Sequence, residues 1–209
     1  MVSLLLCLLS ACVTPANKEG DVITNIQKST VRVEMAEGKC SGWVLKGSHN
    51  VITAAHCQED KMTVFMADGK EYPAHPTKVG DSSGDPGKPD IMVLAVDAPT
   101  SAWPEGLAIC PFPAYYGENL TLFGQPLGVS ESMSWGKVAK PSHKFNEDGG
   151  SYIEYDGRQL PGNSGGAAVD VGENCVMGMS ELTFLARPGS DTPYGMQFLT
   201  PAARLDELH

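Results

Sequence analysis

Pro161-Gly162-Asn163-Ser164-Gly165-Gly166 sets a serine among glycines. A hydroxyl attacks a carbonyl only if the carbonyl can come close. Glycine neighbours remove the side chains that would obstruct it and allow backbone angles that other residues avoid. In such a turn the N–H groups of Gly162 and Ser164, on either side of Asn163, can converge on one point where an oxyanion would form. Gly, Asn and Ser also favour plain surface turns, so the hexapeptide points to acyl chemistry only if the chain supplies a base and an acid.

A serine hydroxyl needs a base at neutral pH. The five histidines are His49, His56, His75, His143 and His209. His56 stands apart because it follows the apolar run Val51-Ile52-Thr53-Ala54-Ala55, among small residues that leave an imidazole room at a strand end. The others sit in polar or proline-rich stretches. The base needs a buried, ionised carboxylate to fix its tautomer. Asp90 opens the run Ile91-Met92-Val93-Leu94-Ala95-Val96, where a charge must find partners to persist. Asp81, Asp85 and Asp97 are rivals by composition, in turn-like contexts.

The elements that would carry these groups read as strands. Ser29 to Met35 and Met62 to Met66 alternate apolar and polar residues. Ser41 to Leu45, Val51 to Ala55, Lys70 to Ala74 after the Asp68-Gly69 turn signal, and Ile91 to Val96 complete a first set. Asp97 to Pro113, with four prolines, reads as a crossing. Leu120 to Phe123, Met133 to Lys140, Ser151 to Tyr155, Gly166 to Val171, Cys175 to Glu181 and Gly195 to Leu199 form a second set, with a polar loop tip at Phe145 to Gly150. Only Pro201 to His209 reads as helical. Closely spaced strands with Gly and Pro turns imply an all-β barrel or sandwich.

The chain has 209 residues and a net charge of -10. Its length suffices for a real core without a cofactor. An acidic chain without clustered Lys or Arg argues against nucleic acid and anionic membrane as partners. Residues 1–11 are apolar and uncharged, too short to span a bilayer and of the size of an export signal's core. Leu9-Ser10-Ala11-Cys12 resembles a bacterial lipobox, which implies cleavage before Cys12 and lipid on that residue; no Lys or Arg precedes the run, and an ordinary cleaved signal is the alternative. Residues 12–24 read as a linker, whose polar stretch Val13 to Asp21 would reach about 30 Å if extended. Export implies an oxidising compartment, the cell envelope or periplasm for an anchored form. Beyond Cys7 and Cys12, the cysteines Cys40, Cys57, Cys110 and Cys175 allow three pairings, and none forms a C-x-x-C metal motif.

Thr53-Ala54-Ala55-His56-Cys57, the Asp90-Ile91 run and the Ser164 loop occur in the order His, Asp, Ser, and over roughly 29–199 the chain resembles the chymotrypsin-like serine proteases. Gly117 to Gly128 and Pro161 to Ala167 look most like the trypsin-like core of bacterial HtrA-type proteases. The resemblance implies an all-β domain over 25–209: two antiparallel β-barrels, about 25–98 and 114–209, a short C-terminal helix, and a site in the cleft. It implies His56, Asp90 and Ser164 as catalytic residues and an oxyanion hole in the Gly162, Asn163, Ser164 turn, built from the Gly162 and Ser164 N–H groups. It further implies a polypeptide substrate and no cofactor or metal. The resemblance implies a Cys40–Cys57 disulfide around the histidine loop, which leaves Cys110 to pair with Cys175, although HtrA-type enzymes generally lack such bonds; it also implies Ser180 as a support for Asp90. Three departures stand out. Asn163 replaces the aspartate that in digestive relatives pairs with a freshly cut N-terminus, which suggests that no activating cut is needed. Arg158, six places before Ser164, replaces the aspartate of trypsin-like specificity, so cleavage after Lys or Arg is not supported; it either shapes a pocket for acidic side chains or points outward, and analogy with HtrA-type enzymes implies small or apolar side chains at the cleaved bond. No PDZ domain follows in this sequence. An idle protease fold used for binding and an esterase on the same triad are the competing functions.

Overall fold

A computed structural model of the chain describes residues 18–83, 88–128, 131–144, 147, 150–184 and 196–208. The apolar run 1–11 with Cys7, then Cys12, Asp85, most of the 145–149 loop tip, Gly195 and His209 lie outside the described residues.

Six strands follow the first apolar runs: β1 (Thr30–Glu34), β2 (Lys39–Val44), β3 (Asn50–Thr53), β4 (Met62–Phe65), β5 (Glu71–Val79) and β6 (Met92–Val96). They close into an antiparallel barrel in the order β1-β2-β3-β6-β5-β4, with β4 returning to β1. Inward residues such as Val31, Trp43, Ile52 and Leu94 are fully buried, so side-chain alternation sets the register. After the crossing come β7 (Ala108–Ile109), β8 (Asn119–Gly124), β9 (Ser132–His143), β10 (Tyr152–Tyr155), β11 (Ala167–Asp170), β12 (Cys175–Phe184) and β13 (Met196–Pro201). Here the order is β11-β8-β9-β10-β13-β12, and β11 pairs with β12 to close a second six-stranded antiparallel barrel around Leu120, Leu122, Ile153 and Leu199. The short β7 adds in parallel to β12, placing Cys110 beside Cys175.

Three features differ from the sequence reading. Lys18–Ser29, whose first half was read as linker, is an α-helix, α1, with Glu19 and Asp21 in its first turn and Lys28 in its last, complementing the helix dipole. Ile26 is fully buried, and Val22 and Ile23 pack against the first barrel's core. The two-residue β7 lies in what read as an unstructured crossing. The C-terminal helix, Ala202–Glu207, is a 3-10 helix of six residues and starts directly from β13.

Candidate active site

His56 is delivered by the end of β3. The strand stops at Thr53, Ala54 and Ala55 are fully buried, and a 3-10 turn over Ala55–Cys57 lifts the ring into the cleft. The Cys40–Cys57 disulfide ties this turn to β2. Asp90, two residues before β6, is 5% exposed. Its Oδ1 accepts the His56 backbone N–H at 2.7 Å and its Oδ2 meets His56 Nδ1 at 2.5 Å. A carboxylate only accepts hydrogen bonds, so Nδ1 carries the proton and the Nε2 lone pair is left facing the cleft, where the ring is 37% exposed. The rivals are elsewhere: Asp97 pairs with His75 in the open, and Asp81 binds Lys88 and caps Ser83. The one grouping of would-be metal ligands among the described residues is Cys40, His56 and Cys57, whose sulfurs are joined to each other.

The Ser164 loop lies between β10 and β11. Pro161 and Gly162 occupy the middle of a turn closed by Asn163 N–H donating to Leu160 C=O at 2.9 Å, with Gly162 at φ +93°. Pro followed by a positive-φ glycine is what a type II turn requires. Asn163 therefore contributes its amide to closing this turn. No backbone bond engages the N–H groups of Gly162 and Ser164 among the described residues. Gly165, at φ +84°, has no room for a Cβ: one would lie 2.2 Å from Ser41 C=O and 2.9 Å from Ala54 N. This close crossing sets the Ser164 loop against the segment that carries His56. Among the described residues no hydrogen bond joins Ser164 Oγ to the His56 ring.

Ser41 on β2, unmarked by any motif, is the hub of this crossing. Its N–H donates to Ser164 C=O at 2.8 Å, its hydroxyl donates to Gly162 C=O at 2.7 Å and accepts from Gln125 N–H at 2.8 Å, and its C=O accepts from the Thr53 hydroxyl at 2.7 Å. From the second barrel, Gly165 N–H donates to Ser180 C=O at 2.8 Å and Ser180 N–H to Gly166 C=O at 2.9 Å. Among the described residues no hydrogen bond joins the Ser180 hydroxyl to Asp90. The hydroxyl donates to Gln159 Oε1 at 2.8 Å, because the buried Gln159 amide, donating in turn to Phe198 C=O at 3.4 Å, presents its oxygen there. Arg158 is exposed and leaves Gln159 as the buried side chain at that wall. Beside Ser180, burial first and then the Asp90 charge push the Glu181 carboxyl up to about 8.

The model of the trypsin-like peptidase domain matches residues 40–179. The chain belongs to the trypsin-like peptidase family. Among solved structures, the serine endoprotease from Yersinia pestis superposes with TM-score 0.72 at 21% identity, covering 93% of this chain and 65% of that one. The HtrA-type protease AlgW, solved with a tripeptide, gives TM-score 0.73 at 20% identity, covering 90% of this chain and 61% of that one. An inactive form of the Rv3671c protease of M. tuberculosis H37Rv gives 0.70 at 20%, covering 94% and 92%. The chain thus spans under two thirds of the length of the Yersinia pestis protein and of AlgW, and these likenesses establish the fold. No curated protein matches the sequence.

Proposed function

We propose that the chain is a serine endopeptidase with His56, Asp90 and Ser164 as its triad. The carrying observation is the Asp90 carboxylate bonded to both N–H groups of His56, which leaves Nε2 as the base. Ser164 Oγ attacks a peptide carbonyl carbon and gives its proton to Nε2. The carbonyl oxygen, now an anion, takes the Gly162 and Ser164 N–H groups. Nε2 then protonates the departing amine, which leaves an ester on Ser164. Water, deprotonated by the same nitrogen, hydrolyses it.

A polypeptide substrate suits the sheet geometry. β11 pairs with β12 only as far as Met179, and Gly165 and Gly166 take the Ser180 C=O and N–H, so beyond Ser180 that edge of β12 lacks a partner strand among the described residues, beside the Ser164 loop. An extended peptide could add there as a further strand. Export, with or without lipid on Cys12, belongs to the same reading, and the two disulfides fit an oxidising compartment.

The missing Ser164–His56 hydrogen bond favours a second reading, an idle fold that only binds, although such bonds often tighten only with substrate in place. A peptide-library digest separates the two: the endopeptidase yields internal cleavages that vanish in Ser164→Ala, whereas identical, uncleaved profiles for both proteins establish the binding module. The mass of the mature N-terminus reports whether Cys12 is lipidated.

A further inference from the structure

On the outside of the second barrel a groove of about 410 Å³ runs between α1, β8, β9 and the turn that follows β11. Outward-facing Thr121 and Phe123 of β8 form its floor, paired in register with Trp135 and Met133 of β9. Trp135 is 70% exposed and Tyr115, across the rim, 58%. Aromatic surface of this extent left open to water marks an interaction site. The rest of the rim is anionic: Glu19 of α1, Asp170 at the end of β11 and Glu173 in the turn. Among the described residues no ion pair engages any of these three. The neighbouring cation, Lys137, is held by Asn119 Oδ1 at 2.7 Å. Below the rim, buried Glu118 accepts Tyr115 N–H at 3.0 Å and fixes the aromatic wall.

We infer that this groove is an exosite for a cationic, partly apolar polypeptide segment, and, resting on the peptidase reading, that the segment belongs to the substrate. Three carboxylates without a cationic partner among the described residues, one of them (Asp170) already accepting the Glu173 N–H at 3.1 Å, select Lys or Arg, and the open indole face receives such a cation directly. The groove also leads to the chemistry. Thr121 is three residues from Gly124, about 10 Å along the strand. A Cβ on Gly124 would sit 2.7 Å from Asn163 Oδ1, in the nucleophile loop itself. The groove thus ends about one strand length from the nucleophile loop, close enough for a long substrate to touch both.

The test uses the full chain carrying Ser164→Ala, so that binding is read without turnover. A fluorescent peptide of alternating Lys and Leu should bind with strong salt dependence, and an alternating Glu and Leu peptide of equal length should not. Asp170→Asn/Glu173→Gln and, separately, Trp135→Ala should each weaken binding about tenfold or more. In the background with Ser164 intact, the same groove variants should leave turnover of a short uncharged peptide unchanged. Equal affinity for both peptides, no binding, or groove variants that bind as tightly as the parent would overturn the exosite. So would a dimer in sedimentation that Trp135→Ala dissolves, since a second copy would then be the occupant. The binding and sedimentation results do not depend on whether Ser164 is catalytic; only the turnover control does.

Discussion

Glu181→Gln should stabilise the protein at alkaline pH and leave it unchanged at acid pH. Glu181 follows Ser180 where the β12–β13 register shifts, and it is 9% exposed. Its Oε1 accepts the Tyr152 hydroxyl at 3.3 Å. Burial first, then the Asp90 charge, push its carboxyl from 4.5 up to about 8, against the opposing pull of Tyr152 and Arg204. Between those two values the folded chain holds a proton that the unfolded chain has released. Stability is therefore greatest below the unfolded value and falls as pH rises toward the folded one, by about 1.4 kcal/mol per pH unit. From about pH 5 to about pH 8 the loss comes to about 4 kcal/mol. Glutamine cannot ionise and keeps an oxygen for the Tyr152 hydroxyl. Urea unfolding of both proteins at the two pH values isolates this group from every other titration, because only the difference between them is read. The expected gap is near zero at the lower pH and several kcal/mol in favour of the variant at the higher. An equal gap at both would show that the carboxyl is not held protonated by its surroundings.

Other outcomes follow from the same geometry. Asp90→Asn should lower kcat/KM on the order of ten-thousandfold with the fold intact, because an amide in that place no longer dictates the Nδ1 proton; a loss under tenfold in peptide turnover would remove Asp90 from the triad. Gly162→Ala should cost about a hundredfold in kcat, since its Cβ would lie 2.6 Å from Leu127 N at a φ of +93°, and wild-type kcat would show that the turn does not form the hole. Ser41→Ala leaves Gly162 C=O and Gln125 N–H without their partner and should cost about 1–3 kcal/mol in urea unfolding, with kcat falling more than KM changes. Opening Cys110–Cys175 by a double alanine substitution, across a separation of 65, should cost about 4 kcal/mol, more than the roughly 3 kcal/mol for Cys40–Cys57 with its separation of 17; the reverse order would contradict the loop-entropy argument. Turnover should not await proteolysis between Cys12 and Ser29, because the Asn163 turn is already closed; activity that appears only after such a cut would refute this.

The strands, and the turns that carry His56, Asp90 and Ser164, were legible because their signals are local. Val31 and Val33 alternate with Arg32 and Glu34, and the Asp90 run is buried as its composition requires. The helix α1 was hidden by its own polarity: Gly20 near its start and a run of charged and amide residues dilute the Val22, Ile23 and Ile26 face, and its stability comes from packing on the barrel. The strand β7 is two residues long and exists through β12 alone. Ser41 could not be read because its meaning lies in a bond to Gly162, 121 residues away. Ser180 was misread for a related reason. Nothing near it in the chain announces that Gln159 offers the nearer acceptor.

The account turns on His56 activating Ser164. Intact-mass measurement after treatment with a fluorophosphonate, on the parent protein, His56→Ala and Ser164→Ala, tests this most directly. One phosphonyl group on the parent, mapped to Ser164, and none on either variant is the predicted result. A folded parent that takes up no label, or a His56→Ala protein labelled as fast as the parent, would contradict it.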